Sequence, residues 1–150
     1  MIAVVQRVSD ASVCVDNKVT GSIDIGLLVY LGVFQGDETS DLEYIVRKIA
    51  ALRIFKDEND KMNLSVDKVS SKILIISQFT LCAITTKGNR PSFNNASPPK
   101  EAQLFYENAI TRLKEMNLDV ESGIFGADMK VRYTNDGPVT IILNSHDVRK

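Results

Sequence analysis

The sequence has one histidine, two cysteines and no tryptophan. A Ser-His-Asp or Cys-His mechanism, or any two-histidine zinc site, would have to run through His146. That residue lies in the closing segment Asn144-Ser145-His146-Asp147-Val148-Arg149-Lys150, where chain ends usually fray, and it reads as a solvated tail residue. Histidine mechanisms are therefore unfavoured. Cys14 and Cys82 stand singly among apolar or β-forming neighbours, and no Cys-x-x-Cys occurs. Spacing alone excludes a zinc ribbon, a thioredoxin-type pair and a disulfide scaffold, leaving buried reduced thiols as the expectation. No run approaches the ~18 apolar residues of a membrane span, and the N-terminal residues lack the basic and apolar regions of a secretory leader. A soluble, cytoplasmic protein without membrane contact follows. Gly21, Gly26, Gly32 and Gly36 form neither Gly-x-Gly-x-x-Gly nor a Walker A loop, and no Asp/Glu spacing marks a divalent-metal site.

What is present is ordinary in amount and uneven in placement. The 150 residues are 44% hydrophobic and 25% charged, enough for one domain over residues 1–150 with a core of its own. The formal net charge is −1, yet residues 61–100 hold Lys61, Lys68, Lys72, Lys87, Arg90 and Lys100 against Asp67 alone. That local excess is suited to a phosphate backbone, although scattered lysines more often mark a solvated face.

The opening is β-rich. Val4 to Val15 favours β-branched residues, Asn17-Lys18 supplies a turn, Val19 to Ile25 continues, and Leu27 to Phe34 is an apolar run suited to a buried strand. These predict a strand meander. Ser40 and Glu43 make a capping box before Leu42, Ile45, Val46, Ile49 and Leu52, predicting a helix that ends near Phe55. Lys72 to Ile84 reads as one or two buried strands. A second helix is expected after Ser97, with Pro98 at its first position and Ala102, Phe105, Ala109, Leu113 and Met116 buried. Two closing strands, Met129 to Thr134 and Val139 to Leu143, are separated by Asn135-Asp136-Gly137-Pro138, which has turn chemistry. The class is α+β: a mixed, mostly antiparallel sheet or barrel-like β core with two main packed helices.

With histidine set aside, hydroxyls, amides and backbone groups remain for chemistry. Ser77-Gln78-Phe79-Thr80 places three polar side chains at the end of an apolar strand, where an unpaired buried hydroxyl or amide costs roughly 1 to 3 kcal/mol. Either the strand ends there and the hydroxyls bond nearby backbone, or the cluster serves a site. Gly137-Pro138 would be trans by default, since only about 5 to 6% of such bonds are cis. Lys87-Gly88-Asn89-Arg90-Pro91-Ser92-Phe93 is a basic loop able to hold phosphate or simply to face solvent.

Two segments together are specific. Ser77-Gln78-Phe79-Thr80-Leu81 and Asn135-Asp136-Gly137-Pro138-Val139-Thr140 closely resemble the two signature motifs of the D-aminoacyl-tRNA deacylase family, first named for D-tyrosyl-tRNA. The resemblance runs the length of the chain, through Val5-Gln6-Arg7-Val8, Leu52-Arg53-Ile54-Phe55, Lys61-Met62-Asn63-Leu64-Ser65, Arg90-Pro91-Ser92-Phe93 and Phe125-Gly126-Ala127-Asp128-Met129. It implies hydrolysis of the ester of D-aminoacyl-tRNA and of mischarged glycyl-tRNA, with L-aminoacyl-tRNA rejected. It also implies a homodimer without cofactor or metal. Gly137 and Pro138, joined by a cis bond, would enter the partner's site as the chiral filter.

By the same resemblance, Gln78, Phe79 and Thr80 fall in the catalytic segment, and Ser77, Ala96, Phe125 and Met129 line the substrate pocket. Arg7 would stand at its entrance, and the basic loop at 87–90 near tRNA phosphate. The family is thought to use the 2′-hydroxyl of the terminal adenosine in place of a protein base, which suits a chain with few reactive side chains. Thr80 is read as structural or water-orienting rather than nucleophilic, for want of a base. Two alternatives stay open: a non-catalytic tRNA-binding module, and a general small-ester hydrolase using Thr80 or Ser77.

Overall fold

Burial with a period of two organises the first strand, β1 (Ile2–Val15), where Ala3 and Val5 face one side and Val8, Ala11 and Val13 the other after a shift in phase. A computed structural model of the chain describes residues 1–86 and 88–148. Asp16 and Asn17 turn the chain with positive φ of 49° and 62°, a conformation that Asn and Asp tolerate better than most residues. The return is made by β2 (Lys18–Ile23) and β3 (Gly26–Gly32) together. β2 pairs with the far half of β1 and β3 with the near half, both antiparallel, so the expected three-strand meander is instead one long interrupted hairpin. The reason is that β3 continues in the direction of β2 and does not fold back on it.

Helix α1 (Thr39–Ala51) then carries the chain over to β6 (Lys72–Ser77), which lies parallel to β3. Between them come a small antiparallel pair, β4 (Phe55–Lys56) and β5 (Met62–Leu64). Helix α2 (Pro99–Glu115) makes the second crossover, to β7 (Asp119–Ser122), parallel to β6. β8 (Lys130–Asn144) closes the sheet by running antiparallel along the other edge of β1. The order β2-β1-β3-β6-β7, with β8 beside β1, is the expected mixed sheet with two helices.

The central strands are buried on both faces, which is why their sequences are unbroken apolar runs. Leu27, Val29, Leu31, Ile73 and Ile75 pack against α1 and α2 through Leu42, Ile45, Ile49, Tyr106, Ala109 and Leu113. Leu28, Leu74 and Ile76 point the other way and meet Val8, Val13 and Ile23, so the sheet curls around a second core and becomes barrel-like.

Several boundaries differ from the sequence reading. α1 is capped by Glu38, whose N–H donates to Asp41 Oδ2 at 2.8 Å, rather than by a box of Ser40 and Glu43. It stops at Ala51, not near Phe55, because Phe55 is taken into β4. Pro99, not Pro98, holds the first position of α2. That helix buries Tyr106 where Phe105 was expected, and Met116 is 47% exposed. Beyond Ser77 the chain makes a 3-10 turn (Phe79–Cys82), so the strand expected up to Ile84 ends early. Cys82 is buried and Cys14 half-buried, and neither is in a disulfide.

His146 is no frayed residue. It sits in a 3-10 turn (Ser145–Val148), half-buried, with Nε2 2.7 Å from Asp37 Oδ1 and its ring tilted on Phe34 at 4.9 Å between centroids. The Met1 ammonium donates to the same Asp37 oxygen and to Ser145 Oγ, each at 2.6 Å, so both chain ends are tied to the loop after β3. Arg149 and Lys150 lie outside the described residues.

Candidate active site

Parallel strands deliver their following loops to one end of a sheet, and ligands of α/β sheets bind at those carboxyl ends. Here the ends of β3, β6 and β7 and the start of α2 enclose a cavity of about 390 Å³. Ser77, Gln78 and Phe79 form one wall, Ala96 and Ser97 the approach to α2, and Phe125, Gly126, Ala127 and Met129 the loop after β7. Six residues chosen from sequence, Ser77, Gln78, Phe79, Ala96, Phe125 and Met129, thus come together from three separate segments.

Local chemistry places each of them. The Gln78 N–H donates to Leu31 O at 2.8 Å, extending the β3–β6 ladder by one residue before the backbone bends into its 3-10 turn. The first N–H groups of a helical turn have no acceptor within it, so the Phe79 N–H is not used by the turn it opens. The Phe79 ring is 55% exposed and braced edge-on by Phe93 at 5.0 Å. Thr80 lies beside the cavity, not on its wall, and its hydroxyl accepts a short hydrogen bond from Gln78 Nε2.

Ala96 is held by a bridge to Phe34, flanked by Gln35 N–H to Asn95 O at 2.8 Å and Ser97 N–H to Val33 O at 2.9 Å. Its own N–H is committed to Phe93 O at 2.9 Å. A Cβ at Gly123 would lie 2.5 Å from Met129 Sδ, so a larger residue there would require the Met129 side chain to shift from its place against the wall. Phe125 rests on Tyr106 with 6.0 Å between ring centroids, and the Tyr106 hydroxyl donates to Ile75 O at 2.9 Å. Tyr106 was not picked out from sequence, because helical spacing with a one-residue error of phase selects Phe105 instead.

No ionisable side chain lines this cavity among the described residues; its polar groups are the Ser77 and Ser97 hydroxyls, the Gln78 amide and main chain. Two buried groups near the wall, Tyr106 and Cys82, are held neutral. Burial pushes the Tyr106 hydroxyl up to about 12, and burial assisted by the Asp37 charge pushes the Cys82 thiol up to about 11. His146 is in a different hollow, with Phe34, Gln35 and Asn95. Asp37, Asp41 and His146 converge closely enough to hold a cation, but the Met1 ammonium already rests on Asp37.

Gly137 and Pro138 are set apart from the cavity and arranged otherwise than the sequence indicated. No hairpin turn forms: β8 is continuous, and the four residues Asp136 to Val139 bulge out opposite Arg7, between the pairs Gln6–Thr140 and Val8–Asn135. Local composition could not tell these apart, because a bulge and a turn call for the same residues. The Gly137–Pro138 peptide is cis, and Gly137 has φ +127°, a conformation open to glycine and strained for other residues. Arg7 is 6% exposed and lies beneath this protrusion, not on the cavity wall of its own chain. Its Nη1 donates to Ile54 O at 2.7 Å and its Nε to Asp136 O at 3.3 Å, while Asp136 Oδ2 stands 3.0 Å from the same Nε.

The basic stretch is partly neutralised. Lys68 pairs with Asp67 at 3.0 Å and Lys72 with Asp119 at 2.9 Å, the latter pair raising the Lys72 amine above its ordinary value. Arg90 and Lys100 are exposed, and Lys87 lies outside the described residues.

A mixed sheet that holds at its carboxyl ends a mostly apolar cavity, with the Ser77 and Ser97 hydroxyls and the Gln78 amide as its polar side chains, has the form of an α+β protein that binds a small group there. Comparison with known proteins agrees. The family described as D-Tyr-tRNA(Tyr) deacylase matches residues 4–144, and the chain belongs to that family. A D-aminoacyl-tRNA deacylase of Clostridium beijerinckii is 54% identical over 145 residues, 97% of each chain. Among solved structures, one described as c-Myc DNA Unwinding Element Binding Protein superposes with a TM-score of 0.90 at 43% identity, covering 96% of this chain and 98% of its own. Another, of a probable eukaryotic D-amino acid tRNA deacylase, shares the fold with a TM-score of 0.79 at 18% identity, covering 95% and 97%.

Proposed function

We propose that this chain is a D-aminoacyl-tRNA deacylase, hydrolysing the ester of D-aminoacyl-tRNA and of mischarged glycyl-tRNA while rejecting L-aminoacyl-tRNA. The observation that carries this reading is a cavity built from Ser77-Gln78-Phe79 and the 125–129 loop with no ionisable lining, within a chain of this family. An aminoacyl ester is already activated, so orientation and donors to the developing oxyanion supply the acceleration. Water attacks the ester carbonyl, the Phe79 N–H holds the oxyanion, and the bond to the 3′-oxygen of the terminal adenosine breaks. The adenosine 2′-hydroxyl takes the water's proton and passes its own to the departing 3′-oxygen, so the products are the free amino acid and the tRNA 3′-hydroxyl. Ser77, Gln78 and Ala96 position the aminoacyl group, Phe125 and Met129 hold the adenosine, and Thr80 orders Gln78.

The filter acts between subunits. Gly137 and Pro138 do not line the cavity of their own chain, which supports a role for the protrusion in another copy's cavity. In a homodimer the Gly137 and Pro138 carbonyls would hold the α-amino group and leave no room for an L side chain, with Arg7 of the same chain at the entrance of the paired site. The outer edge of β8 and Ile142, 67% exposed, offer a face for such pairing. Arg90, Lys87 and Lys100 would meet tRNA phosphate, and the tRNA substrate makes the protein cytoplasmic.

The test is release of D-amino acid from tRNA ending in adenosine or in 2′-deoxyadenosine. The proposal expects turnover of the first and a large loss with the second. Binding without turnover would favour a non-catalytic module, and equal turnover of both would remove the 2′-hydroxyl from the mechanism.

A further inference from the structure

The Gly137–Pro138 protrusion is a four-residue bulge facing one residue, and something must hold its two ends together. Its outer end is joined across the strands by Gln6 Nε2 donating to Thr140 Oγ1 at 3.0 Å. At its inner end stands Asn135, half-buried, whose Nδ2 donates to two carbonyls at once: Arg7 O and Val139 O, each at 3.0 Å. Both partners are acceptors, so the amide nitrogen and not its oxygen must face them. One bond ties the bulge to β1. The other spans from residue 135 to residue 139 and closes the bulge upon itself, fixing the path of Asp136, Gly137 and Pro138 between them.

We infer that Asn135 is a positioning residue for stereochemical selection, its amide clasping the base of the Gly137–Pro138 bulge so that the protruding carbonyls keep the spacing that excludes an L side chain. This rests on the proposed deacylase reading and deepens it. Asn135 does not line the cavity and touches no substrate. Its effect passes through backbone geometry alone. Arg7 supports the bulge from beneath, but the polar partners of its guanidinium are Asp136 and Ile54 O, not Val139 O, so it does not duplicate the closure.

The substitution Asn135→Asp keeps size and shape but turns the double donor into an acceptor facing two carbonyls. The informative quantity is the ratio of kcat/KM for D- over L-aminoacyl-tRNA, because a loss of folded protein lowers both values equally and cancels. The inference expects that ratio to fall at least about tenfold, the equivalent of the two hydrogen bonds, with slower D and faster L hydrolysis. Asn135→Ser, which removes the clasp without adding charge, is read in the same way should the Asp variant fail to fold. An unchanged ratio in a folded variant overturns the inference. So does loss of both activities at a native melting temperature, since Asn135 would then act on the reaction rather than on selection. If the unmodified protein itself shows no D-aminoacyl-tRNA hydrolysis, the deacylase reading fails instead.

Discussion

Substituting Gly137 by alanine perturbs the protrusion at its tightest point. A Cβ built there meets Val139 Cγ2 at 2.8 Å, and Arg7 Nη2 and Val139 N at 3.0 Å, on a residue whose φ is +127°. The backbone strain costs about 1 to 3 kcal/mol if the conformation is kept. Val139 is β-branched, its N is backbone, and the Arg7 guanidinium is pinned to Ile54 O, so none of the three neighbours yields easily. The alanine variant is therefore expected to relieve its strain by moving the bulge. Because that bulge is at the sheet edge, the cores remain, and the melting temperature falls by only about 2 to 12 °C. A displacement approaching 1 Å in groups that orient the substrate costs about a hundredfold in rate, so D-aminoacyl-tRNA deacylation should drop to that extent at temperatures where the variant is fully folded. Thermal melts followed by circular dichroism and a deacylation time course check the two parts. A variant with the unmodified rate would refute the role given to this geometry, and a collapse of folding would refute its isolation from the cores.

Thr80→Ala should retain D-ester turnover within about tenfold, since it removes only one hydrogen bond to Gln78 and no group that a base activates; abolished turnover would restore the nucleophile reading. Cys82 and Tyr106 hold their protons more tightly in the folded protein, at about 11 and about 12 against ordinary values of 9.0 and 10.0. Their contribution to stability is thus complete below about pH 9 and is lost as pH rises through the folded values, so urea midpoints should fall between pH 8.5 and about 11. Midpoints that hold or rise over that range would contradict the burial assigned to these groups.

Much of this architecture is legible in local sequence, for identifiable reasons. The runs Leu27 to Leu31 and Ile73 to Ile76 are apolar on both faces because two cores sandwich them, and Ala102, Ala109 and Leu113 keep strict helical spacing. The cavity residues were recoverable because Ser77 to Phe79 and Phe125 to Met129 are contiguous motifs that tertiary structure merely brings together. What escaped depended on distant partners. His146 looks like a tail until Asp37, Met1 and Phe34 gather around it. Residues 135–138 read as a hairpin because their chemistry is local, whereas the pairing that makes them a bulge is supplied by β1. Asn135 and Tyr106 act through backbone carbonyls that the fold brings to them, Arg7 O across the sheet and Val139 O across the bulge in one case and Ile75 O in the other, and side-chain spacing does not announce it.

The central claim is that a cavity without acid-base side chains and a Gly137–Pro138 protrusion together make a stereoselective deacylase. Its most direct test is the hydrolysis rate of one tRNA charged in parallel with the D and the L form of the same amino acid, using the unmodified protein. The account predicts release of the D-amino acid at least about a hundredfold faster than the L form. Equal rates, or no hydrolysis of either ester, would contradict it.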